Sequence, residues 1–140
     1  MGALNFQTSR KTYTVNDGCQ ISFDPADINF AKRLFALMDK LEKQENEGIQ
    51  NPEDVFVVAE EKDRQMRQDI DAVIEEAVCD KIFGSTNVFS PAGGLPLCVN
   101  FLLAVIDEID HAYETEVKPS EKMKAYINKY EHKYGKNLKK

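Results

Sequence analysis

A chain of 140 residues with 24 acidic and 18 basic side chains, net charge −6, is long enough for one hydrophobic core and too acidic for general nucleic-acid binding. At 42% hydrophobic and 30% charged residues it has the composition of a globular protein, which excludes a disordered chain and a membrane-embedded one. Cys19, Cys79 and Cys98 are odd in number and lack CxxC spacing, so they read as free thiols, and MGALNF carries no signal pattern; a cytoplasmic location is expected.

Residues 10–23 alternate Tyr13 and Val15 on one side of Asn16-Asp17-Gly18 with Cys19, Ile21 and Phe23 on the other, which predicts a β-hairpin. A lone hairpin is marginal, so its apolar face lies on the helices or pairs with a neighbour's strand. Asp24-Pro25-Ala26-Asp27 then offers an N-cap, a first-turn proline and an early acidic residue. Ile28, Ala31, Leu34, Phe35, Met38 and Leu41 form the stripe of a helix running to about Gln44, which Gly48 closes.

Asn51-Pro52-Glu53-Asp54 repeats the entry device, and a second helix runs from Val55 through Met66, Ile70, Val73 and Ile74 to Val78. Its Glu60 to Arg67 stretch is dense in charge, so this part is expected to project from the core or to break. Cys79 to Phe101 is a hinge, in which Gly84 permits a left-handed exit and Ser90-Pro91 offers a cap and first turn.

The third helix starts near Leu95 to Leu97 and reaches about Glu116, with Cys98, Phe101, Val105 and Ile109 on one face. Leu97 to Ile106 is the most apolar run and is about half the length that spans a bilayer. Leu103 and Ile106 widen the apolar surface, for burial on more than one side or for a partner. Lys118-Pro119-Ser120-Glu121 restarts a fourth helix with Met123, Tyr126, Ile127, Tyr130 and Tyr134 on one side.

The predicted fold is mainly α: a compact bundle of about four helices with a small N-terminal β-hairpin. It forms one domain over 1–140, divided into the hairpin (10–23), a helical body (24–116) and a basic C-terminal helix and tail (117–140). Phe35, Met38, Val73, Ile74, Phe83, Phe101, Val105 and Ile109 are expected in its core. Residues 24–116 hold 8 Lys+Arg against 21 Asp+Glu, net −13, whereas residues 117–140 hold 8 Lys against 2 Glu, net +6, so the two regions should attract.

The motifs of chemistry are weak. Glu108 and His111 have the Glu-x-x-His spacing of a di-iron helix, but the helical phase turns His111 outward and no second pair exists. No serine sits in GxSxG, and Gly93-Gly94 and Gly135-Lys136 lack the rest of a phosphate loop. Glu60-Glu61 and Glu75-Glu76 diverge by about 100° on a helix rather than flanking a substrate. A noncatalytic protein is expected, with no cofactor, no metal and no catalytic residue. The candidate partner-binding residues are Leu103, Ile106, Tyr126, Tyr130 and Tyr134.

Over residues 20–116 the order of features resembles the tail assembly chaperones of long-tailed phages or prophages (siphoviruses) of Gram-positive bacteria. The features are Phe23-Asp24-Pro25 opening a helix, an acidic central helix, and Asp80-Lys81-Ile82-Phe83-Gly84 leading through Val88-Phe89 to Asn100-Phe101 and the acidic helix Val105 to Glu114. The resemblance implies a small, largely helical, nonvirion protein of the host bacterial cytoplasm. It would bind the tape measure protein and assist assembly of tail tube proteins around it; from charge and hydropathy, neither nucleic acid nor membrane is expected as a partner. It also implies a longer frameshifted product, with which the ending Leu138-Lys139-Lys140 is compatible, and a homo-oligomer fits the same picture. The competing expectation is a phage or mobile-element structural or regulatory protein that acts by protein contacts.

Overall fold

The computed structural model describes residues 1–45, 54–115 and 121–138. The fold is mainly α. A hairpin of β1 (Lys11–Thr14) and β2 (Gln20–Phe23) precedes α1 (Ile28–Glu45), α2 (Val55–Ile74) and a short α3 (Cys79–Phe83). A two-residue pair, β3 (Pro91–Ala92) and β4 (Leu95–Pro96), leads into α4 (Leu97–Thr115), and α5 (Glu121–Leu138) follows. Helix α1 lies against α2, and α4 against α5. No described helix is long and apolar enough to cross a membrane.

The hairpin forms where its alternation placed it, with Tyr13 opposite Ile21 and Lys11 opposite Phe23. Asn16 and Asp17 take φ of 49° and 59°, the left-handed pair that a tight hairpin turn requires and that Asn and Asp tolerate. The turn closes through Gly18 N–H to Val15 O, 2.8 Å. At the start of α1, the cap is Asp27 rather than Asp24: its carboxylate accepts Asn29 N–H at 3.0 Å and its carbonyl accepts Ala31 N–H at 3.1 Å. Asp24-Pro25 makes the turn before it, closed by Asp27 N–H to Asp24 O, 3.2 Å. The expected stop at Gly48 and the starts at Asn51-Pro52-Glu53 and Lys118-Pro119-Ser120 lie outside the described residues.

Helix α2 stops at Ile74, four residues short of the expected end. Glu75 turns left-handed at φ 64° and bonds the Asp71 carbonyl, while the Asp71 carboxylate accepts the N–H groups of Val78 at 2.9 Å and Cys79 at 3.0 Å. One side chain thus rewards the break and starts α3. Val78 and Cys79 are fully buried, so the apolar run of the helix follows the core around a corner instead of continuing straight. The hinge accordingly contains a fifth helix that the periodicity did not separate from α2. Gly84 ends it at φ 58°, ψ −135°, a conformation that only glycine adopts at ease. The Ser90-Pro91 cap is replaced by the β3–β4 pair, and Pro96 belongs to β4.

The charge-dense part of α2 neither projects nor breaks. It is continuous helix, and Asp63, Arg67 and Asp71, four residues apart, turn toward the hinge. The Arg67 guanidinium meets Asp63 at 3.1 Å, Asp80 at 2.9 Å and the carbonyls of Gly84 and Thr86 at 2.8 Å each. Asp63 also accepts Val88 N–H at 2.8 Å, and the Asn87 amide donates to Ala59 O at 3.1 Å. The charged face of α2 is therefore the bracket that holds the chain between α3 and β3.

One core joins these elements. Phe35, Met38, Val73, Ile74, Val105 and Ile109 are buried in it as expected, and Leu34, Met66, Ile70, Leu102 and Val88 lie there with them. Phe83 and Phe101 do not belong to its interior. Both are only partly buried, packed edge to face with centroids 5.9 Å apart at the border of the core.

Candidate interaction groove

Helix α5 accounts for most of the candidate partner-binding residues. Tyr130 and Tyr134 are buried against the bundle, Phe35 stacks on Tyr126 at 5.3 Å and on Tyr130 at 6.0 Å, and the Tyr130 hydroxyl bonds the Asp39 carboxylate. The attraction expected between basic tail and acidic body is realised: Lys133 meets Glu42 at 3.1 Å, Lys129 meets Glu42 at 3.5 Å, and Lys124 meets Asp110 at 3.5 Å. Leu103 and Ile106 are fully buried within the fold. Of the five residues, Tyr126 alone keeps substantial exposure, at 37%. The widened apolar face of α4 serves burial on two sides.

The surface that remains open lies elsewhere. A groove of about 1030 Å³ runs between the hairpin, the end of α3 and the first half of α4. Alternation in β1 and β2 points Tyr13, Ile21 and Phe23 the same way, and Tyr13 stacks on Phe23 at 4.5 Å while Phe23 stacks on Phe30 at 4.9 Å. Tyr13 and Phe23 of this ladder, with Ile21, are one wall. The Phe83–Phe101 pair, with Ile82 and Leu97, forms the opposite one, and Val105 and the exposed Ala104 continue along α4. Asn16, Thr86, Asn100, Asp107, Glu108 and, from α5, Glu131 line the same groove with polar groups, so it is apolar inside and acidic at one end. The sequence reading missed it as a site, because each wall residue looked like core.

The groove has the form of a contact surface. The Tyr13 hydroxyl is pushed up to about 12 by burial, with Glu108 and Asp24 adding to it. Tyr113 is also raised, first by burial and then by Asp27 and Asp24, and Tyr130 is raised by burial and by its bond to Asp39. The folded protein holds these protons more tightly than the unfolded chain, whose tyrosines titrate near 10. The stability they contribute is intact below about pH 10 and is lost as pH rises through the folded values. Melting temperature is expected to fall steeply above about pH 10, with tyrosinate absorbance rising as the fold is lost. A flat melting temperature up to about pH 12 would contradict this assignment of buried tyrosines.

The remaining reactive groups do not assemble. Cys79 is buried, its Sγ–H donates to the Arg67 carbonyl at 3.4 Å, and burial with Asp71 raises its thiol far above the nucleophilic range. His111 is exposed, beside a shallow acidic depression formed with Asp107, Glu108, Asp110 and Glu114. Among the described residues no group of three or more His, Cys, Asp or Glu side chains is arranged to hold a metal ion. No family model, curated protein or solved structure matches this chain.

Proposed function

We propose that this chain is a noncatalytic tail assembly chaperone whose groove between hairpin and α4 receives an apolar segment of the tape measure protein. The observation that carries the reading is the groove itself: aromatic walls, a polar and acidic end, and a size of about 1030 Å³ suited to one helix face or extended segment rather than to a small metabolite. Tape measure proteins are long and helix-rich, and before assembly their apolar stripes need cover. An acidic carrier with net charge −6 would keep such a complex soluble while the groove covers the stripe.

The test is calorimetric titration of the full chain with a purified tape measure segment of several amphipathic turns. Ala104 is exposed on α4 inside the groove, so Ala104→Glu introduces a charge there without disturbing the core. Binding is expected to weaken by about tenfold or more in this variant, since the carboxylate would have to be desolvated without a partner. His111→Ala, outside the groove, is expected to bind as the parent does. Tight binding that ignores Ala104→Glu, or no binding at all, would refute the reading.

A further inference from the structure

The segment before the hairpin has no place on its own body. Residues 1–8 are all exposed, with Leu4 at 94% and Phe6 at 81% of their full accessibility. Residues 1–9 carry no charged side chain. At its root the Ser9 hydroxyl donates to Asp24 at 2.6 Å and Arg10 donates to the Ser22 carbonyl at 3.2 Å. None of residues 1–9 lines the groove beside the hairpin.

We infer that residues 1–8 of one copy dock in the groove of a second copy, in a reciprocal exchange across a twofold axis. The two surfaces match in chemistry. An uncharged arm bearing Leu4 and Phe6 meets an apolar groove, and the basic root at Arg10 and Lys11 approaches the acidic end at Asp107 and Glu108. Reach suffices, because eight extended residues span about 27 Å. Area suffices as well. A buried phenylalanine contributes about 200 Å², so two arms and two grooves together cover on the order of 1,200 to 1,600 Å², the size of a stable interface. Exchange of identical arms closes as a dimer and leaves no open surface for further growth.

This deepens the reading given above, and its regulatory consequence rests on that reading: the arm holds the groove until a client displaces it, so free protein is dimeric and client-bound protein is not. The test uses the full chain alone, by light scattering over a dilution series, with Phe6→Asp as arm variant and Ala104→Glu as groove variant. Phe6 is 81% exposed in the monomer, so its variant folds unchanged. The parent is expected to be a dimer and each variant a monomer, and an equimolar mixture of the two should recover a heterodimer through the one intact arm and groove. A parent that is monomeric at the highest soluble concentration overturns the proposal, and so does a dimer that survives Phe6→Asp. A monomer whose Cys-substituted position 6 is shielded from thiol reagents also overturns it, because the arm then closes on its own groove. Client binding is measured separately and is expected to tighten several-fold in Phe6→Asp. Loss of the dimer in both variants without any client binding would sink the chaperone reading and leave the exchange standing.

Discussion

Removal of residues 118–140 is expected to convert the protein into a self-associating species, in high salt as much as in low. Helix α5 inserts Met123, Ile127, Tyr130 and Tyr134 against the bundle, each at 7% exposure or less. At about 1.5 to 3 kcal/mol per buried side chain, the four contribute about 6 to 12 kcal/mol, the upper figure assuming a fully extended unfolded chain. That equals the whole net stability of an ordinary domain. The lysine pairs to Glu42 and Asp110 are half exposed, so each adds about 0 to 1 kcal/mol and is screened by salt. Sedimentation in low and high salt checks this directly. A truncated chain that stays monomeric and melts like the parent would show that α5 is a free recognition arm, with its tyrosine face as a binding surface.

Arg67→Met is expected to cost about 3 kcal/mol, the second largest effect of a local change. Methionine keeps an unbranched apolar stem and removes every donor. The carbonyls of Gly84 and Thr86 then lose their partner, and Asp63, at 21% side-chain exposure, loses its counter-charge. Lysine should rescue little, since a single ammonium cannot span two carboxylates and two carbonyls as the planar guanidinium does. Urea unfolding measures the cost, and amide exchange at Thr86 to Val88 should quicken first. A loss below about 1 kcal/mol would mean that the hinge is held by its apolar contacts alone.

Periodicity is a local property, and the elements it governs were legible. The Asn16-Asp17-Gly18 turn gave the hairpin, and the stripes of α1, α4 and α5 gave their helices. What the pattern missed depends on contacts between distant segments. Val78 continues the apolar period of α2, yet the helix ends at Ile74 because the Asp71 side chain captures two N–H groups beyond it. Phe83 and Phe101 have the phase of core residues, and only the tertiary arrangement shows that they stop at its border. The groove could not be read from the sequence at all, because Tyr13, Phe83 and Phe101 come from three separate stretches. One signal was available: Asp63, Arg67 and Asp71 at four-residue spacing mark a charged stripe too regular for a random solvated face.

The central claim is that the groove, and not the tyrosine face of α5, receives the client. Amide hydrogen exchange of the Phe6→Asp variant, whose groove is open, with and without the tape measure segment separates the two. Protection is predicted at residues 13–23, 82–86 and 97–108, with no protection centred on the tyrosine face of α5. Protection centred on 123–134, with none in the hairpin, would contradict the account.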